Sequence, residues 1–284
     1  MARLAPKLLL EAGPRVVEFL TRQFNADGGA KGRSGQSDLY YTVFALEGLI
    51  AMQAPLPTEA LQAYLRTFAD GPDLDLVHLT CLARCWAALP SGSLDAETAQ
   101  SLLQRIEAHR SRDGGYHPSP GAPTGTVYHA FLAFGAYQDL NGQPPQRDRL
   151  CQSLSTLRTD DGAFANDMAV KIGTTPATAA AVTLMRHLDI EVPPEVGLWL
   201  LAQCTPDGGF LASPQAPMPD LLSTATALHA LGGLDVSTHP VKEACLDFID
   251  SLWTGRAFCG HWADDVTDSE YTYYALLALG HLSL

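Results

Sequence analysis

The chain is predicted to be all-α, an (α/α)6 toroid of six helical hairpins stacked side by side and closed into a ring. Three observations predict it. First, a Gly turn recurs as Asp27-Gly28-Gly29, Asp70-Gly71, Asp113-Gly114-Gly115, Asp161-Gly162 and Asp207-Gly208-Gly209, at steps of 43, 43, 48 and 46 residues. Gly260-His261-Trp262 reads as the sixth turn, 53 residues beyond Asp207. A fixed period in this range marks stacked supersecondary units. Second, the turn Asp stands 13 residues before the next helix start three times (Asp113 to Thr126, Asp161 to Thr174, Asp207 to Asp220) and 11 residues once (Asp27 to Asp38). An open helical solenoid has a similar period but joins its helices by short turns. Third, the helices after these loops are rich in small apolar residues, as an inner ring requires.

The elements follow in order. Each unit opens with an outer helix, such as "VVEFLTRQ", "TAQSLLQRIEAH" or "VGLWLLAQ", whose apolar residues recur at three and four. The Gly turn follows, usually with an aromatic after it: Tyr116, Phe164, Phe210, Trp262. Then come the loop and the second helix. The second helices superpose on a small-x-x-small pair: Thr42/Ala45, Thr80/Ala83, Ala130/Ala133, Thr178/Ala181, Thr224/Ala227 and Thr272/Ala275. No strand pattern is visible. The reading is one domain over 1–284 with repeats at about 14–53, 58–90, 97–140, 147–188, 194–234 and 240–284, hence about twelve helices.

Composition limits the partners. The chain is 46% hydrophobic and 17% charged, enough for one large core. Its net charge of -13 comes from 18 Lys and Arg against 31 Asp and Glu, with no basic run. Nucleic acid and anionic membrane are therefore poor partners. No apolar run reaches a transmembrane length. Six cysteines without a CxxC pair predict a reduced, cytoplasmic protein.

The pattern Q-x-x-x-D-G-G-[FY], present from Gln203 to Phe210 and begun at Gln23-x-x-x-Asp27, is followed by a loop and Y/T-x-x-A-L. Over nearly the whole chain it resembles the prenyltransferase/squalene-cyclase repeat superfamily. That resemblance implies six inner and six outer helices, an apolar, aromatic-lined cavity inside the inner ring, and polar chemistry at the inner-helix N-termini.

The inner helices start at Asp38, Asp75, Thr126, Thr174, Asp220 and Asp268. These residue types are first of all helix caps; together they form a polar collar. One turn deeper stand Tyr40, Tyr41, Phe44, Tyr128, His129, Phe131, Tyr271 and Tyr274. They read either as an ordinary aromatic core or as a wall that binds a long polyene and stabilises cations through ring quadrupoles.

The family's chemistries set the candidate residues. Protein prenyltransferases resemble this chain in repeat pattern and hold zinc through an Asp, a Cys two residues later and a His. Asp220 fits the first, but Leu222 and Tyr271 replace the others, so no zinc is expected there. Lys31, Arg33 and Lys171 are the cations available to hold a diphosphate. Terpene cyclases of the second class carry D-x-D-D, whose middle Asp protonates an alkene. "PDLDLVH" supplies Asp73 and Asp75, with Leu76 in the last place and His78 three residues beyond Asp75. Asp75 is the expected acid, tuned by Asp73 and His78. Such cyclases commonly set the site against a second barrel, a wall that a second copy or a partner subunit would supply here. Asp264, Asp265 and Asp268 are spaced as D-D-x-x-D, which would take Mg²⁺ if they met a diphosphate. Cys259 and His261 are two ligand types without a third.

Acid-initiated cyclisation of a polyprenyl substrate is the leading expectation. Prenyl transfer without the usual zinc site and a catalytically silent binding or assembly module are the alternatives. An open centre would favour an enzyme, and a centre filled by Tyr and Phe would favour a module.

Overall fold

The computed structural model describes residues 1–284. After a short α1 (Pro6–Leu9), twelve helices alternate between an outer and an inner layer. The outer helices are α2 (Gly13–Thr21), α4 (Thr58–Arg66), α6 (Ala96–Glu107), α8 (Arg147–Ser155), α10 (Pro194–Leu201) and α12 (Lys242–Ser251). The inner helices are α3 (Leu39–Ala51), α5 (Leu76–Ala87), α7 (Val127–Asp139), α9 (Thr175–His187), α11 (Leu221–Gly233) and α13 (Ser269–Leu282). Each inner helix packs on the next, and α13 packs back on α3, so the ring is closed. The termini meet at this seam: a Cβ on Gly280 would lie 2.4 Å from the Met1 carbonyl oxygen.

The inner helices begin where the polar residues predict. Asp38, Asp75, Thr126, Asp220 and Asp268 each accept a first-turn backbone N–H as N-caps. Thr174 precedes α9 without a side-chain cap bond, and Pro176 in the first turn leaves one donor fewer to satisfy. The Thr of the small-x-x-small pair has its own task. The buried Thr42, Thr178 and Thr224 hydroxyls accept the backbone N–H of Ala30, Phe164 and Phe210, the chain just past the Gly turn. One hydroxyl thus ties each loop to its inner helix.

The first, third and fifth Gly turns are small hairpins that dock closely on the following outer helix. Gly28, at φ 94°, leaves its Cα against α4: a Cβ there would sit 2.0 Å from the Ala60 carbonyl oxygen. Gly208 meets Ala244 of α12 in the same way, at 1.8 Å. Only a residue lacking a Cβ fits such an approach. Two details differ from the sequence reading. The sixth turn is built on Gly255 rather than on Gly260-His261-Trp262, because Trp253 bridges to Phe258 as Cys204 does to Phe210. Phe258 is the buried aromatic there, while Trp262 is 48% exposed. A two-stranded pairing also exists, β1 (Phe210–Leu211) with β2 (Pro219–Asp220), too short to leave a period-two signal in the sequence.

Candidate active chamber

The inner helices leave one half-exposed stripe each, and the stripes share one register. On α3 it runs Tyr40, Phe44, Glu47; on α13 Glu270, Tyr274, Leu277; on α9 Pro176, Ala180, Thr183. This i, i+4, i+7 spacing is one helix face. With the outer helices behind and inner neighbours at the sides, that face looks at the ring axis. Electrostatics agree. Tyr128 of α7 does not neighbour α13 in the ring, yet the Glu270 carboxylate adds to the rise of its pKa to about 12, which burial dominates.

The chamber has two unlike halves. On the α3/α13 side the rings touch: Tyr40 to Phe44 at 4.9 Å, Phe44 to Tyr274 at 5.4 Å and Phe44 to Tyr273 at 5.9 Å, within the range of favourable aromatic pairs. On the α9/α11 side the corresponding positions are Pro176, Ala180 and Thr183 on α9 and Leu222, Thr226 and His229 on α11, none of them a Tyr or Phe. Phe131 is half-buried on α7 in the register of Tyr273.

A carboxyl group sits in the aromatic half. The Tyr40 hydroxyl donates to Glu270 Oε1 at 2.7 Å. Burial raises the Glu270 pKa; the Tyr40 hydrogen bond opposes this, Asp268 adds to it and Arg33 subtracts. The net direction is upward, toward the protonated acid. Glu270 was not among the sequence candidates. Its signal lay in the alignment: the other five repeats carry Tyr40, Val77, Tyr128, Pro176 and Leu222 at this register, so an acid there is out of pattern.

The rim holds the residues read from the sequence. His78 bridges two caps, with Nδ1 at 2.8 Å from Asp75 and Nε2 at 3.6 Å from Asp38. Burial would lower the His78 pKa, but hydrogen bonds and charge from Asp75 and Asp38 turn it upward. Asp75 is 61% exposed. Burial would raise its pKa, but the backbone N–H and the ring of His78 carry it below the usual carboxylate range. Asp73 is exposed and makes no contact with Asp75. His129 pairs with Thr126 at 2.8 Å, and burial, with His117 and His109, lowers its pKa to about 4.

The three expected cations do not converge. Arg33 donates to Asp264 at 2.8 Å and Asp268 at 2.9 Å, and lies over the Tyr271 ring at 5.6 Å. Lys31, two residues away, lines a cavity on the outer face. Lys171 stands in the loop before α9, across the ring, exposed and 4.0 Å from Asp160. Tyr41 lies under the same rim loop, against Gly32, and Tyr271 lies under Gly260. The D-D-x-x-D carboxylates do not fit a dication as they stand: Arg33 engages Asp264 and Asp268, and Asp265 faces solvent. Of the zinc-like positions, Asp220 is spent on the Ser223 N–H and hydroxyl at 2.7 and 2.8 Å, and Leu222 offers no donor.

Toward the C-terminal ends of the inner helices, charged residues join three of them. Arg84 of α5 donates to Glu47 at 2.8 Å and to Asp139 at 2.6 Å, tying α5 to both neighbours at their C-terminal ends. Sequence reading missed this link, since the three residues are 37 and 55 positions apart.

The comparisons with known proteins agree with this architecture. The family described as "Prenyltransferase alpha-alpha toroid domain" matches residues 12–75, 74–190 and 178–283. No curated protein matches by sequence. Among solved structures, the type II terpene cyclase MstE from Scytonema, in complex with geranylgeranyl dihydroxybenzoate, is similar at TM-score 0.66 and 14% identity, covering 98% of this chain and 97% of that one. Candida albicans protein geranylgeranyltransferase-I, complexed with GGPP, is similar at TM-score 0.68 and 12% identity, covering 93% and 89%. A polysaccharide lyase is similar at TM-score 0.60 and 9% identity, covering 98% and 97%. At these identities the likeness is one of fold.

Proposed function

The chain belongs to the prenyltransferase alpha-alpha toroid family, and from that premise we propose that it binds a polyprenyl chain in the axial chamber and cyclises it by acid-initiated carbocation chemistry. The acid is Glu270 rather than Asp75. One observation carries the reading: a carboxyl group with a raised pKa is held by Tyr40 inside an aromatic wall. Protonating an alkene needs a carboxylic acid in its neutral form, facing a dry, apolar space. Asp75, exposed and held ionised by His78, is instead the counter-charge that keeps a cation on the rim.

The step balances simply. The Glu270 proton moves to a terminal alkene carbon, the π pair becomes the new C–H bond, and the neighbouring carbon is left cationic. Tyr40, Phe44 and Tyr274 are the rings clustered beside Glu270, and a cation formed there would be stabilised by their quadrupoles. Attack by a further alkene closes a ring, and loss of a proton ends the sequence, so the net change is an isomerisation. On this reading the folded chain lies against the α9/α11 side, where no Tyr or Phe stands in the axial register.

The test is incubation with geranylgeranyl-bearing substrates, followed by mass spectrometry and melting curves. An isomer of unchanged mass, together with a raised melting temperature from native-state binding, supports the proposal. Release of diphosphate with transfer of the prenyl group would select the transferase instead. Ligand binding without any product would select the silent module.

A further inference from the structure

We propose that the seam where the ring closes carries a peripheral binding site for a small polyphosphate anion, separate from the axial chamber. The argument starts from the turn-to-helix contacts. The first, third and fifth Gly turns dock closely on the next outer helix. The fourth is joined to α10 by the Arg158–Glu195 ion pair at 2.7 Å. A sixth turn docked as the first, third and fifth are would pack on α2, the outer helix of the first repeat. The observed turn does not. A Cβ on Gly255 would meet nothing within 4 Å, and the approach is limited to Arg15 reaching the Gly255 carbonyl oxygen at 3.5 Å.

The space left open is a cavity of about 440 Å³. Its lining is cationic. Arg15 and Arg22 come from one face of α2, Lys31 from the first loop and Arg256 from the sixth turn. These are four of the 18 Lys and Arg residues of a chain whose net charge is -13. The single carboxylate of the lining, Glu18, is already neutralised by Arg22 at 2.6 Å. Lys31 and Arg256 have no anionic partner within the chain, and the Thr267 hydroxyl at the cavity edge donates to no protein group. Phe19 is the one hydrophobic lining residue, so an apolar ligand has little to gain there.

Arg15, Lys31 and Arg256, which no carboxylate of the chain pairs, repel one another, and an anion bound among them removes that repulsion while gaining charge-assisted hydrogen bonds. Two free guanidinium forks and an ammonium present more donors, and more positive charge, than one carboxylate can engage, whereas a phosphoryl group offers more oxygens and more negative charge. Three free cations contributed by three separate segments, α2, the first loop and the sixth turn, favour an anion with at least two phosphoryl groups. Both ligand and location are independent of the chemistry assigned to the chamber.

The experiment is calorimetric titration of the full chain with inorganic pyrophosphate at low ionic strength, repeated with Lys31→Ala and Arg256→Glu. Both residues are at the surface, and circular dichroism and melting curves verify that the variants fold. A second arm measures co-sedimentation with phosphatidic acid vesicles, to separate a soluble ligand from a lipid headgroup. Saturable one-to-one pyrophosphate binding, weakened more than tenfold in each variant, is the expected result. No binding, binding equal in wild type and variants, or association with vesicles alone would overturn the proposal.

Discussion

Tyr40 and Glu270 are 230 positions apart and share a hydrogen bond of 2.7 Å across the seam between the first and last repeats. The bond exists because the ring closes, and it sets Glu270, one of three inner-helix carboxyls whose pKa burial raises (the others are Asp139 and Asp220), beside the aromatic wall.

If Glu270 is the proton donor, Glu270→Gln removes the proton while keeping shape and the Tyr40 contact. Turnover is expected to fall by about 10²–10⁴-fold, with isoprenoid-induced thermal stabilisation retained. Asp75→Asn is expected to keep most of its activity, because an amide still caps α5. The opposite pair of results returns the acid to Asp75.

The pH dependence follows from the sign of the shift. A carboxyl whose folded pKa is raised contributes stability below its unfolded value and loses it as pH rises through the folded value. Wild-type stability and turnover should therefore both decline from the ordinary glutamate range upward, whereas the stability of Glu270→Gln should lack that component. Parallel pH–melting curves would refute the assignment.

His78 should titrate above the ordinary histidine value because Asp75 and Asp38 favour its charged form over the opposing effect of burial. Its contribution to stability is present below the unfolded histidine pKa and lost as pH rises through the folded one. NMR titration of the ring is expected to show a downward move in Asp75→Asn. An unchanged midpoint would mean that Asp75 does not hold the ring.

The α9/α11 side of the chamber can be probed with bulk. Ala180→Phe adds a ring on the helix that stands across the ring from α3 and its Phe44. The expected outcome is loss of isoprenoid-induced stabilisation with a melting temperature near that of wild type. A large fall in stability would show that the α9 side is already packed.

Turn docking gives a stability prediction with its own control. Gly208→Ala drives a Cβ to 1.8 Å from the Ala244 carbonyl oxygen and should cost about 3 kcal/mol or more. Gly35→Ala, at φ 83° with nothing within 4 Å, should cost only the conformational part, about 1–2 kcal/mol. Equal losses in denaturant titrations would refute the docking argument.

The sequence by itself determined the hairpins, their number, the closed ring and five of the six caps, because these rest on repeated local signals: a period near 46 residues, a turn glycine, an Asp or Thr before an apolar run. Even the axial stripe was legible once the six inner helices were aligned, since helix faces follow from spacing. What only the tertiary structure decided was how these faces meet. Asp75 and Glu270 are both acids at the start of an inner helix, and local pattern ranks Asp75 first. Closure of the ring puts Glu270 against Tyr40 and away from water, while Asp75 stays exposed beside His78. Burial and charge partners set a pKa, and both are properties of contacts between repeats rather than of any one of them. The sixth turn shows the same thing: its glycine is ordinary in sequence, and the cationic gap beside it exists only because the last repeat must meet the first.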